Sequence, residues 1–361
     1  MNDIICGTPP RKVLLTILVN LGDVVLFTAA AAALKHAWPN AKLDVMVRKA
    51  AKDVVENNPL INKVIIVDYA SGKMSYSETW QFVKRLRGEH YDMAICFDHK
   101  LRSLLYLFMA RIPVRIAVDG IFSKLPFGLK LLANKIVRTR LNSQRDHGVL
   151  HFLNVAAQIT GKKYIEKVSV GKILPTNREK TEQLLADLPI GKRRVALCVK
   201  GTFPLKDWQP EKFGALIRWL TVEHDAACFV IGGPSDKAYA ERVIEYSGVD
   251  CRNFCGKTSI IDMASILDQS DLLVTVCTGT VHVASTTQIP VVVIYGCTVP
   301  RRWHPLQKKY LPVWSMRACS PCTKKPEECL GKDCLCEISV EDVELAAASL
   351  LNNNKIIGGY S

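Results

Sequence analysis

Short apolar runs alternate with longer amphipathic stretches along almost the whole chain. Val13–Val19 reads as a buried strand, with a helix behind it from about Val24 to His36. Leu43–Val47 is followed by a helix over Ala50–Asn57, and Val64–Val67 by a helix near Glu78–Arg87 and a strand at Ala94–Phe97. Strands alternating with helices predict parallel sheet joined by crossover helices. Ile112–Arg145 breaks the rhythm and reads as a looser region. The interval from Gly171 to Lys180, with Gly171, Pro175 and Asn177, reads as an interdomain linker. A second series then runs through Val195–Val199, Ala227–Ile231, Leu272–Val276 and Val291–Tyr295. Ser339 caps a last helix reaching about Leu351, with Asp342 at its third position. The pattern predicts an α/β protein of two Rossmann-like domains with a cleft between them. The expected limits are 1–172 for the first domain, 173–338 for the second, and 339–361 for a closing helix and tail. No internal repeat or low-complexity tract interrupts them.

With 361 residues the chain has room for two such domains. Its +14 net charge admits acidic substrates, phosphorylated lipids, anionic membrane surfaces and nucleic acid as partners. No apolar run approaches the ~20 residues of a membrane span. Arg11 and Lys12 lead straight into a strand and not into a signal-peptide core, so a cytoplasmic location is expected. Of the thirteen cysteines, five crowd into one stretch: Cys319, Cys322, Cys329, Cys334 and Cys336. That distribution points to a reducing compartment with one local thiolate site.

Three loops carry candidate chemistry. Cys277-Thr278-Gly279-Thr280-Val281-His282 follows the strand Leu272–Val276 and opens a helix. Backbone N–H groups at such a turn face an anion, Thr278 and Thr280 add hydroxyls, and His282 stands one turn in. This reads as a diphosphate cradle. Lys200-Gly201-Thr202, with Lys206 and Trp208 beyond it, also follows a strand and suits phosphate oxygens. In the first domain Asn20-Leu21-Gly22-Asp23 joins the first strand to its helix, where Gly22 permits close approach and Asp23 offers a carboxylate; helix capping is the plainer role for Asp23. Gly256-Lys257-Thr258 imitates the end of a P-loop, but position 251 is Cys where the upstream glycine is required.

Taken in order, these segments resemble glycosyltransferase family nine, the ADP-heptose:lipopolysaccharide heptosyltransferases. The resemblance rests on Leu21-Gly22-Asp23-Val24, Trp38-Pro39-Asn40-Ala41, Lys206-x-Trp208, Phe254-Cys255-Gly256-Lys257-Thr258-Ser259, Leu267-Asp268-Gln269-Ser270-Asp271-Leu272, Thr278-Gly279-x-x-His282-x-Ala284 and Tyr295-Gly296. The matching segments run from about residue 12 to residue 350. The resemblance implies a GT-B fold with the acceptor on the first domain and the nucleotide-sugar on the second. It also implies an inverting heptosyl transfer that needs no catalytic metal. Asp23 would be the general base on the acceptor hydroxyl, a role typically worth about 10²–10⁴ in rate. Lys206 would neutralise the departing diphosphate. Thr278, Gly279 and the following N–H groups, with Thr280, His282 and the Lys200–Thr202 loop, would hold the phosphates. One departure stands out: the family usually has an acid where this chain has Cys277, and a thiol lacks a carboxylate's charge and acceptor strength. A different donor, slower turnover, or a binding protein that has lost catalysis would each follow from that change.

Cys319-x2-Cys322-x6-Cys329-x4-Cys334 has the spacing of a tetrahedral thiolate site for structural zinc or iron. A similar set recurs in members of the resembled family, and some autotransporter-heptosyltransferase relatives hold iron there. Reduced cysteines in a compact loop are the plainer alternative. From Ile121 to Arg145 the chain carries Lys124, Lys130, Lys135, Arg138, Arg140 and Arg145 among apolar residues. Such a stretch suits a phosphorylated glycolipid at the inner face of a membrane. Arg102 and Arg115 are further candidates for acceptor anions. His147 and His151 share a helical face but lack a third metal ligand. A nucleic-acid partner is disfavoured, because the helix after Val340 carries Glu341, Asp342 and Glu344.

Overall fold

The computed structural model describes residues 8–68, 74–98, 100–120, 131–139, 141–142, 145–322, 328–329 and 333–352. The chain divides into two compact units, Met1–Lys172 and Ile173–Ser361.

The first unit runs β1 (Lys12–Ile17), α1 (Leu21–Ala37), β2 (Lys42–Arg48), α2 (Lys52–Val55), β3 (Lys63–Val67), α3 (Tyr76–Gly88), β4 (Met93–Cys96), α4 (Leu101–Met109), β5 (Val114–Asp119), β6 (Lys135–Arg138) and α5 (Gly148–Thr160). Its strands lie in the order β3-β2-β1-β4-β5-β6. Every pairing is parallel, with Val13 level with Leu43 on one side and Met93 on the other. That is the strand order of a Rossmann domain. β1 is buried from Val13 to Ile17, the continuous apolar run expected of a strand covered on both faces. Alanine-rich α1 is itself almost wholly buried. Phe27 on α1 meets Phe97 edge-on at 5.0 Å and Phe152 of α5 at 6.2 Å. On the opposite face Phe82, Val83 and Leu86 of α3 and Leu104 and Leu107 of α4 pack with Leu14, Met46 and Ala94. Ser75 and Glu78 form a capping box at the start of α3.

The second unit runs α6 (Pro175–Ala186), β7 (Arg193–Cys198), α7 (Pro210–Glu223), β8 (Ala226–Val230), α8 (Lys237–Ser247), β9 (Cys251–Asn253), α9 (Ile260–Asp268), β10 (Leu272–Val276), α10 (Gly279–Ala284), β11 (Val291–Tyr295), α11 (Pro300–Trp303), β12 (Tyr310–Trp314), α12 (Asp333–Cys336) and α13 (Val340–Leu351). The order β12-β11-β10-β7-β8-β9 repeats the first sheet's pattern. Val343, Ala347 and Leu350 of α13 share a core with Trp208, Phe213 and Leu216. The closing helix is therefore part of this unit. No helix among the described residues is long and apolar enough to cross a membrane.

Two readings of the sequence are corrected. Ile112–Arg145 holds strands β5 and β6, which the charges in Val114-Arg115-Ile116 and Lys135-Ile136-Val137-Arg138 conceal. Gly171–Lys180 is no extended linker, because α6 begins inside it at Pro175. Proline at a helix's first position lacks only an N–H that would be unpaired anyway, so it starts a helix as readily as it ends one. Asn177 fixes the start, accepting from Leu174 N at 3.0 Å and donating to Asp262 at 2.7 Å.

At the amino edge of the first sheet Glu89 binds Lys12 at 2.5 Å and also pairs with Lys63. The Lys12 hydrogen bond, followed by that of Lys63, lowers the Glu89 carboxyl from 4.5 to about 2. A depressed folded value stabilises the protein above the ordinary carboxylate range and loses that contribution as pH falls towards 2. Glu89→Gln is expected to cost on the order of 1 kcal/mol at neutral pH. Urea midpoints of both proteins should converge on acidification, and a gap independent of pH would contradict the assignment.

Candidate active site

In a doubly wound sheet, ligands sit beyond the carboxyl ends of the strands where the strand order reverses. That point lies between β7 and β10 in the second unit, and the two loops leaving it are the ones singled out above. The end of β7 meets the start of α10, with Cys198 Sγ 3.3 Å from Thr280 Oγ1. Thr278 is the N-cap of α10 with an extended backbone, and Thr280, Val281 and His282 are buried. The amides of Gly279 and Thr280 precede the first closed turn, which Val281 N completes onto Thr278 O at 3.1 Å. The His282 ring packs 5.8 Å from that of Trp303.

The β7 loop is built around close backbone packing. A Cβ on Gly201 would fall 2.4 Å from Lys206 Cβ, so only glycine fits. Gly201 N donates to Asp207 at 2.8 Å, and Lys206 N closes a short turn onto Phe203 O at 3.0 Å. Trp208 is fully buried, with Nε1 donating to Ile338 O at 3.2 Å. It anchors the loop from below while Lys206 remains half-buried above it, its ammonium 5.5 Å from the Phe203 ring. Thr202 is exposed. Lys200 reaches Asp236 at 3.6 Å, and Asp236 also accepts from Gly233 N at 2.8 Å. Asp236 escaped the sequence reading. Its only local signal was the glycine turn Gly232-Gly233-Pro234.

Cys277 follows β10 and is 5% exposed. Burial pushes its thiol up, against the opposing charge of Lys206, so Cys277 is a neutral thiol. The same ammonium acts on Cys297, whose thiol burial raises to about 12.

In the first unit the switch point lies between β1 and β4. Asn20 is the N-cap of α1, so Gly22 and Asp23 occupy its first turn, both half-buried. A helix start favours an acidic side chain. The neighbouring loop supplies a residue missed in the sequence, Asp98. It is fully buried and accepts from Leu18 N at 2.9 Å and Ser103 Oγ at 2.6 Å. Asp98 ties the β4 loop to the segment entering Asn20–Asp23. Burial raises its carboxyl and these donors pull it back. Arg102 lies in the first turn of α4, at this same end of the sheet.

Arg115 lies elsewhere. It stands at the amino end of β5, with Nη1 bonded to Ile112 O at 2.6 Å and Nε to Leu132 O at 2.9 Å. Cys319, Cys322, Cys329, Cys334 and Cys336 are free thiols. Among the described residues no three His, Cys, Asp or Glu side chains are gathered closely enough to hold a metal ion. The stretch is nonetheless fastened beside the site: Cys322 N donates to Cys297 O at 2.8 Å, and Gln209 and Lys212 bind Cys336. The basic residues Lys124, Lys130 and Arg140 lie outside the described residues.

The model of glycosyltransferase family 9 (heptosyltransferase) matches residues 79–332. The chain belongs to glycosyltransferase family 9. The lipooligosaccharide heptosyltransferase 2 of Haemophilus influenzae is 25% identical over 299 residues, covering 80% of this chain and 84% of that protein. A family 9 glycosyl transferase from Veillonella parvula superimposes with a TM-score of 0.79 at 21% identity, covering 95% of this chain and 97% of that one. The ADP-heptose lipopolysaccharide heptosyltransferase II of E. coli gives 0.76 at 19% identity, covering 95% and 99%. The two Rossmann-like units are those of the GT-B fold class, and the family is one of enzymes, the heptosyltransferases of lipopolysaccharide synthesis.

For a family 9 enzyme the Gly201 packing has a measurable consequence. Gly201→Ala must push the Lys206 segment away, and a displacement near 1 Å can cost roughly 10²-fold in rate. Gly233→Ala is the control, since its nearest neighbour would be 3.6 Å away. Nucleoside-diphosphate release should fall in the first variant only, with both melting near the parent. Equal rates in the two would show that the close contact has no bearing on turnover.

Proposed function

We propose that the protein is an inverting glycosyltransferase that moves heptose or a related sugar from a nucleoside-diphosphate donor, ADP-heptose by family expectation. The acceptor is a lipopolysaccharide core or another glycan. The observation that supports this most is the meeting of β7, whose exit loop packs Gly201 against Lys206, with the first turn of α10 at one switch point. A leaving diphosphate needs a cation and oriented amides, and this group offers both. Lys206 neutralises the charge released as the glycosidic bond to phosphate breaks. Gly279, Thr280 and Thr278 take the phosphate oxygens, with His282, Lys200, Gly201 and Thr202 around them. Asp23 accepts the proton of the acceptor hydroxyl as that oxygen attacks the anomeric carbon, and inversion follows from the single displacement. Gly22 lets the acceptor approach, and Arg102 serves an acceptor anion. Arg115 is the weaker acceptor candidate because its guanidinium already bonds two carbonyls. No catalytic cofactor enters these steps. The enzyme is read as cytoplasmic, working at the inner membrane face where a glycolipid acceptor would be met, and without a nucleic-acid partner.

Cys277 favours a second reading, a nucleotide-sugar-binding protein with impaired catalysis. A buried neutral thiol stands where the family usually has an acid, and it lacks a carboxylate's charge and acceptor strength toward a donor sugar or ribose. A panel of nucleotide-sugars followed by mass spectrometry separates the two. The parent should turn over a donor, Asp23→Asn and Lys206→Ala should each lose about 10²-fold or more, and Cys277→Asp should alter donor preference or rate. Tight donor binding with no turnover by the parent or by Cys277→Asp would establish the second reading.

We also propose that Cys319, Cys322, Cys329 and Cys334 take up one structural zinc or iron ion that folds a segment with few apolar residues. The separated thiols described above are not a finished ligand shell, so no step is assigned to the metal. Protein purified under reducing conditions should contain close to one ion per chain and melt lower after chelation. Metal-free protein with unchanged melting would end this proposal.

A further inference from the structure

We infer that the outer face of α3 and α4 is a docking surface for an anionic lipid bilayer. The face serves the inner-membrane residence proposed above, and the choice of a bilayer rests on that reading. α4 is apolar on both sides. Leu104 and Leu107 fill the core, yet Leu101, Leu105 and Phe108 are 57%, 37% and 47% exposed. Their spacing of four and three residues puts them on one stripe of the helix. Beside it, α3 exposes Tyr76 and Trp80, four residues apart, at 98% and 55%. Leucine, phenylalanine, tyrosine and tryptophan at the surface of a strongly basic protein form the composition of an interfacial contact.

Charge decides the occupant. α3, α4 and their flanking residues supply Lys84, Arg85, Arg87, Lys100, Arg102, Arg111 and Arg115 against Glu78, Glu89, Asp92 and the fully buried Asp98. Glu89 is already held by Lys12 and Lys63, and α4 itself carries no acid. A rim of this sign repels a second copy of a +14 chain and attracts anionic headgroups. Where the two helices meet, Trp80, Arg87, Phe108, Arg111 and Arg115 line a cavity of about 580 Å³. Arg87 Nε is buried there without a hydrogen-bond partner among the described residues. Arg115 lies over the Phe108 ring at 5.4 Å. Arg111 on the lining of this cavity suits a lipid phosphate whose acyl chains continue along the Leu101–Phe108 stripe, while Arg87, bonded to Met109 O at 2.9 Å, and Arg115, bonded to Ile112 O and Leu132 O, add positive charge around it.

Vesicle co-sedimentation of the full chain tests the inference, comparing phosphatidylcholine alone with phosphatidylcholine containing phosphatidylglycerol. Binding is expected only to the anionic vesicles and should weaken with salt. Arg111→Ala should lower the affinity about fivefold, the effect of one basic residue near an anionic surface. Leu101→Glu with Phe108→Glu should abolish binding while leaving melting and donor turnover unchanged. Lack of vesicle binding by the parent overturns the inference, as does equal binding to both vesicles or undiminished binding by the double variant. A concentration-dependent dimer that the double variant dissolves, without lipid binding, would assign the face to self-association instead.

Discussion

A parallel sheet buried on both faces leaves polar chemistry almost nowhere to go. Along β1, β10 and β11 nearly every side chain is excluded from water, and an unpaired polar group there would cost several kcal/mol. The chain can expose carboxylates, ammonium groups and free amides only where strands end and helices begin. With parallel strands those loops gather at one end, and at the switch point two of them diverge and leave room. Both units obey this constraint with the same strand order, which is why Asp23 and Lys206, remote in sequence, occupy equivalent loops of their own sheets.

Holding such loops still requires specific tertiary contacts, and the two units use different ones. In the first, a fully buried carboxylate accepts a backbone amide from the neighbouring strand's exit, so Asp98 couples two loops through one charge-bearing group. In the second, the contact is softer, a thiol against a hydroxyl between Cys198 and Thr280. Packing supplies the rest: Gly201 against Lys206, and Gly296 against Leu335, where a Cβ would fall 2.6 Å from Leu335 Cγ. The second contact presses the cysteine-bearing segment onto the turn after β11. Disorder in that segment would therefore be transmitted to the loop carrying Cys297 and Thr298.

The parts of this fold legible in the sequence are the parts that water cannot reach. β1, β2, β4, β7, β8, β10 and β11 read as apolar runs because each has neighbours on both sides and helices above and below. β6, β9 and β12 did not, and all three are edges, whereas the fourth edge, β3, was legible because Val64–Val67 is an unbroken apolar run. An edge strand pairs on one side only and tolerates Lys135, Arg138, Arg252 or Pro312. β5 was hidden by Arg115 near its start. The donor loop was legible because a small-residue turn after a strand is a local signal. Asp98 and Asp236 were not, because an isolated aspartate acquires its role from partners such as Leu18, eighty residues away, that only the folded chain brings near.

The distribution of charge links the site to the rest of the surface. In the proposed reaction one diphosphate would be met by Lys206, Lys200 and the amides of α10, which leaves most of the basic excess without a part in it. Lys200 pairs with Asp236 at 3.6 Å, which would moderate the positive field there. Basic residues also outnumber acidic ones on α3, α4 and the start of β5, among exposed aromatic and aliphatic side chains. The stripe Leu101–Leu105–Phe108 stays apolar although its side chains are 57%, 37% and 47% exposed. An enzyme whose acceptor is embedded in a bilayer gains by residing on that bilayer, because search in a plane replaces search in volume. The apolar stripe and its basic rim are what residence of that kind requires of a sequence.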